Sequence, residues 1–350
     1  MSALPRIAVY GAGMVGNYLG GRLHRHAQVR LIARPRMAAR LQEHGLTVSD
    51  LHGLRRHVPA TALDITTEPA GAQGMDAVLV TVKSAATMDV AHELEEVLAP
   101  GTLVISFQNG VRNAAELRAA LPFCHVLAGM VPFNVAQPAP AHFHQASSGS
   151  SIVERSASLV PALLAAFDAC GLPLRQCDDM QAVLWGKLLL NLNNPLNALS
   201  GLPLREELAQ RSWRQCLALL QKEGLRVLRA AGIRPAQLTP LPARWLPRVL
   251  SLPDPLFRRV AARMLAIDPL ARSSMWDDLQ AGRRTEVEYI NGEIVALARS
   301  KGLHAPANAR VVTLLREAEQ SYVRWQPQAL LATLRDALSA PRPGSARSFR

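Results

Sequence analysis

Three stretches of this 350-residue chain carry residue types at spacings suited to chemistry. The first is Gly11-Ala12-Gly13-Met14-Val15-Gly16. A G-x-G-x-x-G run that joins a strand to a helix binds phosphates. Its first glycine makes the tight turn, the second lets the backbone approach a pyrophosphate, and the third lets the helix pack against the strand. The second is Trp185-Gly186-Lys187-Leu188-Leu189-Leu190-Asn191-Leu192-Asn193-Asn194-Pro195. Here a lysine and several amides interrupt an apolar helical run, and a buried ammonium is costly unless paired or put to use. Lys187 and Asn191 lie four apart, on one helical face. Burial lowers a lysine pKa toward the range useful for giving up a proton at neutral pH; a lysine that snorkels to solvent is the plainer alternative. The third is Ser273-Ser274-Met275-Trp276-Asp277-Asp278, followed by Arg283-Arg284-Thr285-Glu286. Ser273 or Ser274 suits an N-cap, with Asp277 at a capping-box-like distance. Glu286 shares a helical face with Tyr289 and Ile290, as a solvated charge or as a carboxylate facing a cleft.

The flanking pattern supplies the elements that position these residues. Arg6–Tyr10 is a short apolar run that reads as a strand, and Val15, Leu19 and Leu23 follow at helical spacing. A second strand, Val29–Ala33, ends at Arg34, and no acidic residue occurs before Glu43. An Asp or Glu at that point would hold the ribose 2′-hydroxyl of NAD, whereas an arginine suits a 2′-phosphate. The expected cofactor is therefore NADP or NADPH. Further strands are expected at Asp76–Val82, Thr102–Ser106 and His125–Met130, alternating with helical stretches, and a last strand near 172–177. Such alternation argues for a doubly wound parallel sheet, whose ligands sit beyond the carboxyl ends of the strands. The glycine run, Lys83 and Asn109 all fall at such ends. From about Met180 strand signals nearly vanish, and helices are expected over roughly 180–199, 206–231, 256–267, 274–301 and 307–325. The expected fold is α/β, an N-terminal Rossmann-type sheet over 1–178 followed by an all-helical domain over 179–335. The remaining 336–350, Pro/Gly/Ser/Arg-rich from Pro341, reads as a disordered tail.

Composition narrows the class. The net charge is +12, but the arginines are spread along the chain and no nucleic-acid-binding motif is present. A basic field equally suits an anionic cofactor and substrate. No apolar run is long enough for a membrane span and no apolar leader opens the chain, so a cytoplasmic protein is expected. Cys124, Cys170, Cys177 and Cys216 form no C-x-x-C pair and read as reduced thiols. His142 and His144 would share one strand face, yet no third ligand is in view, and no metal is expected.

Taken together, Gly11–Gly16, Arg34, Thr81-Val82-Lys83, Gln108-Asn109-Gly110, Trp185-x-Lys187 with Asn191, Ser273-Ser274-Met275 and Thr285-Glu286…Ile290-Asn291-Gly292 resemble the ketopantoate reductase family. The likeness runs from Ile7 to about Val323. It implies NADPH-dependent reduction of 2-dehydropantoate to (R)-pantoate, on the route to pantothenate. By that resemblance Lys187 is the general acid, and Glu286 positions the substrate and the lysine. Asn109, Asn191, Asn194 and Ser274 bind the substrate, Lys83 lies beside the cofactor, and Arg34 takes the 2′-phosphate. One feature departs from the pattern. Better-known members carry the asparagine before proline one residue further from the lysine, which loosens the assignment of Asn194 and of the substrate. The alternatives are a reductase of another branched 2-oxo acid on the same scaffold, and a non-catalytic NADPH-binding protein. A homodimer is compatible with the sequence and is not dictated by it.

Overall fold

The computed structural model describes residues 4–260 and 271–339. The chain divides into two compact units, one ending at Trp185 and the other starting at Gly186.

The strands of the first unit are β1 (Arg6–Tyr10), β2 (Gln28–Ile32), β3 (Leu46–Ser49), β4 (Arg55–Val58), β5 (Asp64–Thr66), β6 (Ala77–Val80), β7 (Leu103–Ser106), β8 (His125–Met130), β9 (Val135–Ala139), β10 (His142–Gln145), β11 (Ile152–Glu154) and β12 (Arg175–Cys177). Its helices are α1 (Met14–Leu23), α2 (Pro35–His44), α3 (Thr87–Glu95), α4 (Asn113–Ala120) and α5 (Pro161–Ala169). The main sheet runs β12-β11-β8-β7-β6-β1-β2-β5. It is parallel from β5 to β8, and β11 then pairs antiparallel with β8. From β1 the chain moves outward through β2 to β5, and β6 returns to the other side of β1. The strand order therefore reverses between β1 and β6, which is where open sheets of this kind bind ligands. Both faces are buried, as continuous Val/Ile/Leu runs require. Ile7, Val9, Leu31, Leu79 and Ile105 belong to one apolar layer, and Ala8, Ile32, Val78, Val80 and Val104 to the other. The predicted strands and helices here match to within a few residues.

A second sheet, β4-β3-β10-β9, is built from strands between Leu46 and Val58 and between Val135 and Gln145. β10 pairs parallel with β3 across a long separation, Thr47 opposite His142 and Ser49 opposite His144. The Ser49 hydroxyl bonds both rings, at 2.7 Å to His142 Nε2 and 2.8 Å to His144 Nδ1. Burial, with Arg55 and His144 nearby, lowers the His142 pKa. Among the described residues no group of three or more His, Cys, Asp or Glu is placed to hold a metal.

Helix α6 (Met180–Asn191) leads into the second unit, which holds α7 (Asn194–Ser200), α8 (Leu204–Ala209), α9 (Arg211–Ala230), α10 (Leu246–Leu250), α11 (Asp254–Val260), α12 (Ser274–Gln280), α13 (Asn291–Ser300), α14 (Pro306–Gln320) and α15 (Pro327–Ser339). Among its described residues there is no strand. No helix among the described residues is long and apolar enough to cross a membrane.

Three expected helices differ from what is observed, and α15 was not expected at all. The stretch 180–199 is two helices. The Asn193 N–H bonds Leu190 O at 3.4 Å, and Gln221 Nε2 takes the carbonyl of Leu189 at 3.2 Å. Pro195 then sits in the first turn of α7, where its missing N–H is harmless. The stretch 206–231 breaks at Gln210, which is extended. The fully buried Arg214 guanidinium bonds the carbonyls of Leu208, Leu250 and Leu252 there. The stretch 274–301 stops at Gly282 (φ +62°), whose N–H bonds Leu279 O while that of Arg283 bonds Asp278 O, a glycine C-terminal stop. A single 3₁₀ turn, Val287–Tyr289, precedes α13, so the helical face drawn for Glu286, Tyr289 and Ile290 does not exist. Finally, α15 lies beyond the last expected helix and continues through Ser339. Its Leu330, Leu331 and Leu334 are buried, so the expected tail gives up 336–339 to an amphipathic helix. The rest of that tail, and the part of the 256–267 helix after Val260, lie outside the described residues.

Candidate active site

In the first unit three strand-end loops meet at the reversal of strand order. Gly11, after β1, has φ +93°, and an added Cβ would stand 2.8 Å from Val82 N. Only glycine tolerates both. A Cβ at Gly16 would stand 2.5 Å from both Gly11 O and Thr81 Oγ1, so this glycine is demanded by the packing of α1. Gly13 is different: an added Cβ would meet nothing nearer than Gly11 O at 3.8 Å. The protein alone does not need glycine at 13, whereas a ligand backed against the loop does. Gly13 is exposed and caps α1 through no side chain, and the first turn holds no acidic residue. The N–H groups of that turn, which intrahelical carbonyls cannot reach, suit an anion. Ala12 is buried, and Met14 and Val15 are half-buried against the core. The loop is held from behind by Asn17 Nδ2, which donates to Ala12 O at 2.7 Å, and by Thr81 Oγ1, which donates to Gly11 O at 2.8 Å.

The loops after β6 and β7 are tied to one another. Ser84 Oγ donates to Asn109 O at 2.8 Å, and Asn113 Nδ2 donates to the same carbonyl. Thr87 Oγ1 donates to Asn113 Oδ1 at 2.9 Å and accepts from Gln108 Nε2 at 2.8 Å. Lys83 and Asn109 therefore sit, half-buried, on loops with little freedom. Arg34 is the N-cap residue of α2, at the end of β2. It is exposed and has no side-chain partner among the described residues. These positions fit a dinucleotide cofactor.

In the second unit Lys187 lies on α6 between buried Trp185 and Leu188. Its side chain keeps partial exposure, yet the surrounding protein pushes its ammonium down to about 8 by desolvation. Asn191 is the last residue of α6 and is buried, while Asn194 is the first of α7 and is half-buried. The helix break therefore falls between the two asparagines. Gly186 lets the helix backbone approach Ala236, since a Cβ there would stand 2.6 Å from Ala236 O.

Ser273, not Ser274, caps α12: its Oγ accepts from Trp276 N–H at 3.2 Å. Asp277 is thus one position beyond the capping-box site. Ser273 also donates to Asn194 O at 3.0 Å, and its own N–H bonds Asn197 Oδ1 at 2.8 Å. Ser274 opens the helix and is half-buried. Glu286 is buried at the start of the 3₁₀ turn. The preceding Thr285 is fixed by Glu319 Oε1, which accepts from its N–H at 2.8 Å and from its hydroxyl at 2.7 Å.

Sequence reasoning did not find Asn17, Asn113, Asn197, Glu207 or Glu319. Asn17 and Asn197 carried a signal, as polar residues inside largely apolar helical stretches; Asn113 and Glu207, among other polar residues, carried none. Glu319 offered none, because a glutamate near a helix end usually belongs to solvent.

The fold is that of an α/β dinucleotide-binding protein with a helical second unit, and comparison with known proteins makes it an oxidoreductase acting on CH–OH groups. The family model described as "Ketopantoate reductase PanE/ApbA" matches residues 7–157, and the model of its C-terminal part matches 179–319. A 2-dehydropantoate 2-reductase of Halobacterium salinarum is 29% identical over 322 residues, 90% of this chain and 99% of that protein. The crystal structure of a PanE/ApbA family ketopantoate reductase from Ralstonia eutropha JMP134 superposes with a TM-score of 0.76 at 30% identity, covering 90% of this chain and 99% of that one. D-mandelate dehydrogenase, solved with NADH and anilino(oxo)acetate, shares the fold at a TM-score of 0.72 and 20% identity, over 90% and 99% of the two chains. The chain belongs to the ketopantoate reductase family.

Proposed function

We propose that the protein reduces 2-dehydropantoate to (R)-pantoate with NADPH, with Lys187 as the general acid. The observation that carries this reading is the Lys187 ammonium, set in an apolar helix and lowered to about 8, four residues before Asn191. Gly11–Gly16, Arg34 and Lys83 would hold NADPH, which when bound would supply the hydride. As the ketone carbon becomes tetrahedral, charge grows on its oxygen, and a positioned cation stabilises that charge. Lys187 then gives its proton to the oxygen, a transfer helped by a pKa close to the working pH. Glu286 orients the lysine and the substrate. Asn109, Asn191, Asn194 and Ser274 are neutral donors suited to a carboxylate and a hydroxyl.

A second reading, reduction of another branched 2-oxo acid, is favoured by one observation. Asn194 lies on the far side of a helix break from Lys187 and one residue nearer to it than in better-known members. A non-catalytic NADPH-binding role is disfavoured by the lowered Lys187. The test is loss of NADPH absorbance with the purified protein and 2-dehydropantoate, with NADH and other 2-oxo acids run in parallel. Rapid oxidation of NADPH and little of NADH supports the leading reading; a much larger kcat/KM for another acid replaces it with the second. Tight NADPH binding without any turnover overturns both.

A further inference from the structure

Beneath α7 lies a carboxyl group that the proposed reaction does not use. Glu207, on α8, is fully buried. Its Oε2 accepts from Asn197 Nδ2 at 2.5 Å, and the Asn193 side chain is its second amide neighbour. Asn197 is wholly buried and also bonds Leu202 O at 2.9 Å through the same nitrogen. Its other end, Oδ1, accepts the N–H of Ser273 at 2.8 Å. Ser273 in turn donates to Asn194 O and caps the helix that Ser274 begins. A continuous line of polar bonds thus runs from Glu207 through Asn197 and Ser273 to Asn194 O and to the helix that Ser274 opens.

We propose that Glu207 is a positioning residue for the oxo-acid site: through Asn197 and Ser273 it sets the backbone that carries Asn194 and Ser274. The proposal rests on the reading of those two residues as substrate donors. The inventory of donors explains why a carboxyl group stands here. Glu207 Oε1 and Asn193 Oδ1 are both buried without a hydrogen-bond partner among the described residues. An ionised carboxylate only accepts, whereas the acid form turns one oxygen into a donor. Desolvation pushes the Glu207 carboxyl up to about 8, against the opposing pull of Asn197 and Asn193. The charged or titratable groups nearby do not reverse this. Cys216, on α9, is itself raised to about 12 by burial, and Arg335, on α15, acts on Cys216. A neutral acid can accept from Asn197 and donate at its other oxygen, holding the α7 start and the α12 cap in one arrangement.

The experiment compares Glu207→Gln, Glu207→Leu and wild type by kinetics and by hydrogen exchange. Glutamine keeps one acceptor and one donor; leucine keeps the volume alone. NADPH binding and thermal unfolding report whether each variant is folded. With NADPH and 2-dehydropantoate, we expect Glu207→Gln to keep KM within about twofold, and Glu207→Leu to raise it roughly tenfold or more with a smaller change in kcat, the scale of lost support behind a binding group. Amide exchange over Ser273–Trp276 is expected to quicken in the leucine variant and to stay at the wild-type rate in the glutamine variant. A folded Glu207→Leu protein with wild-type KM and wild-type exchange overturns the proposal, as does a glutamine variant as impaired as leucine. Should the leucine variant not fold, Ser273→Ala decides. It removes the bond to Asn194 O, and an unchanged KM and unchanged exchange at 194–200 then overturn the idea. If the wild type turns over no 2-oxo acid, the functional reading fails by itself, and the exchange comparison alone still decides whether Glu207 sets this backbone.

Discussion

Around Gly11–Gly16 the working atoms are backbone N–H groups, and glycines keep side chains away from them. Around Lys187, Asn194 and Ser274 the groups proposed to work are side chains, and Asn194 and Ser274 are set by polar bonds between helices far apart in sequence. At Gly11 and Gly16 this loop tolerates no addition: a methyl group at Gly16 would stand 2.5 Å from Gly11 O and Thr81 Oγ1. The helical region is instead vulnerable to subtraction, since removing a buried partner such as Asn197 leaves Ser273 N–H and a carboxyl group unpaired. A phosphate site made of backbone is rigid because it shares the constraints of the strand it follows. A site for a small oxo acid needs particular functional groups, and in the proposed reading these come from residues whose aim depends on a second layer.

The largest effect should come from the side-chain region. Replacing Lys187 with alanine should lower kcat by about 10²–10⁴-fold, the range of a lost proton donor, with NADPH affinity unchanged in a binding titration. Full turnover in that variant would dissolve the contrast, because the chemistry would then belong to the cofactor site alone. Next, Arg34→Asp should weaken NADPH binding about tenfold to a hundredfold, the value of a charge-assisted bond of roughly 1.5–3 kcal/mol, and leave NADH binding nearly unaltered. Equal losses for the two nucleotides would remove the 2′-phosphate from the reading.

A pH series sharpens the comparison. As the proposed general acid Lys187 must be protonated, and its pKa is lowered to about 8, so kcat should fall with rising pH above that point. Stability should move the other way. The folded pKa lies below the free value of 10.5, so the unfolded chain holds the extra proton between those limits. Through this group stability therefore rises as pH climbs from about 8 to 10.5. Lys187→Met should abolish both trends, measured by initial rates and by chemical denaturation.

The smallest effects distinguish two glycines. Gly16→Ala should destabilise the protein by about 1–3 kcal/mol, an overpacking cost. Gly13→Ala should leave the unfolding midpoint within about 0.5 kcal/mol of wild type, a surface-like change, and weaken NADPH binding. Loss of stability at both positions would mean that Gly13 serves packing too.

What was legible in the sequence follows the same division. The parallel sheet and its glycine loop were readable because their signals are local: a strand, a turn and a helix adjacent in the chain. Lys187 and Asn191 stood out because polar groups interrupted an apolar helix. The break after Asn191, the cap by Ser273 and the 3₁₀ turn after Glu286 were not readable. Each depends on partners remote in sequence, such as Gln221 on Leu189 O, Asn197 on Ser273 N and Glu319 on Thr285. Periodicity smoothed over these breaks and gave single long helices. The second sheet was missed for a related reason, since β3 finds its parallel neighbour only after most of the main sheet has been laid down.

That pairing bears on how the protein is made. β3 and β4 can close into a hairpin as soon as they leave the ribosome, but their sheet lacks β10 until residue 145 is synthesised. In the interval Leu46 and Val48, on the side that faces α1 at Gly21, lack the wholly buried Phe143 of the absent strand. Closing so long a loop costs chain entropy, and domains emerging N-terminus first expose such edges to neighbours. Nascent chains stalled near residue 140 should therefore need chaperone protection that chains extended past β10 do not.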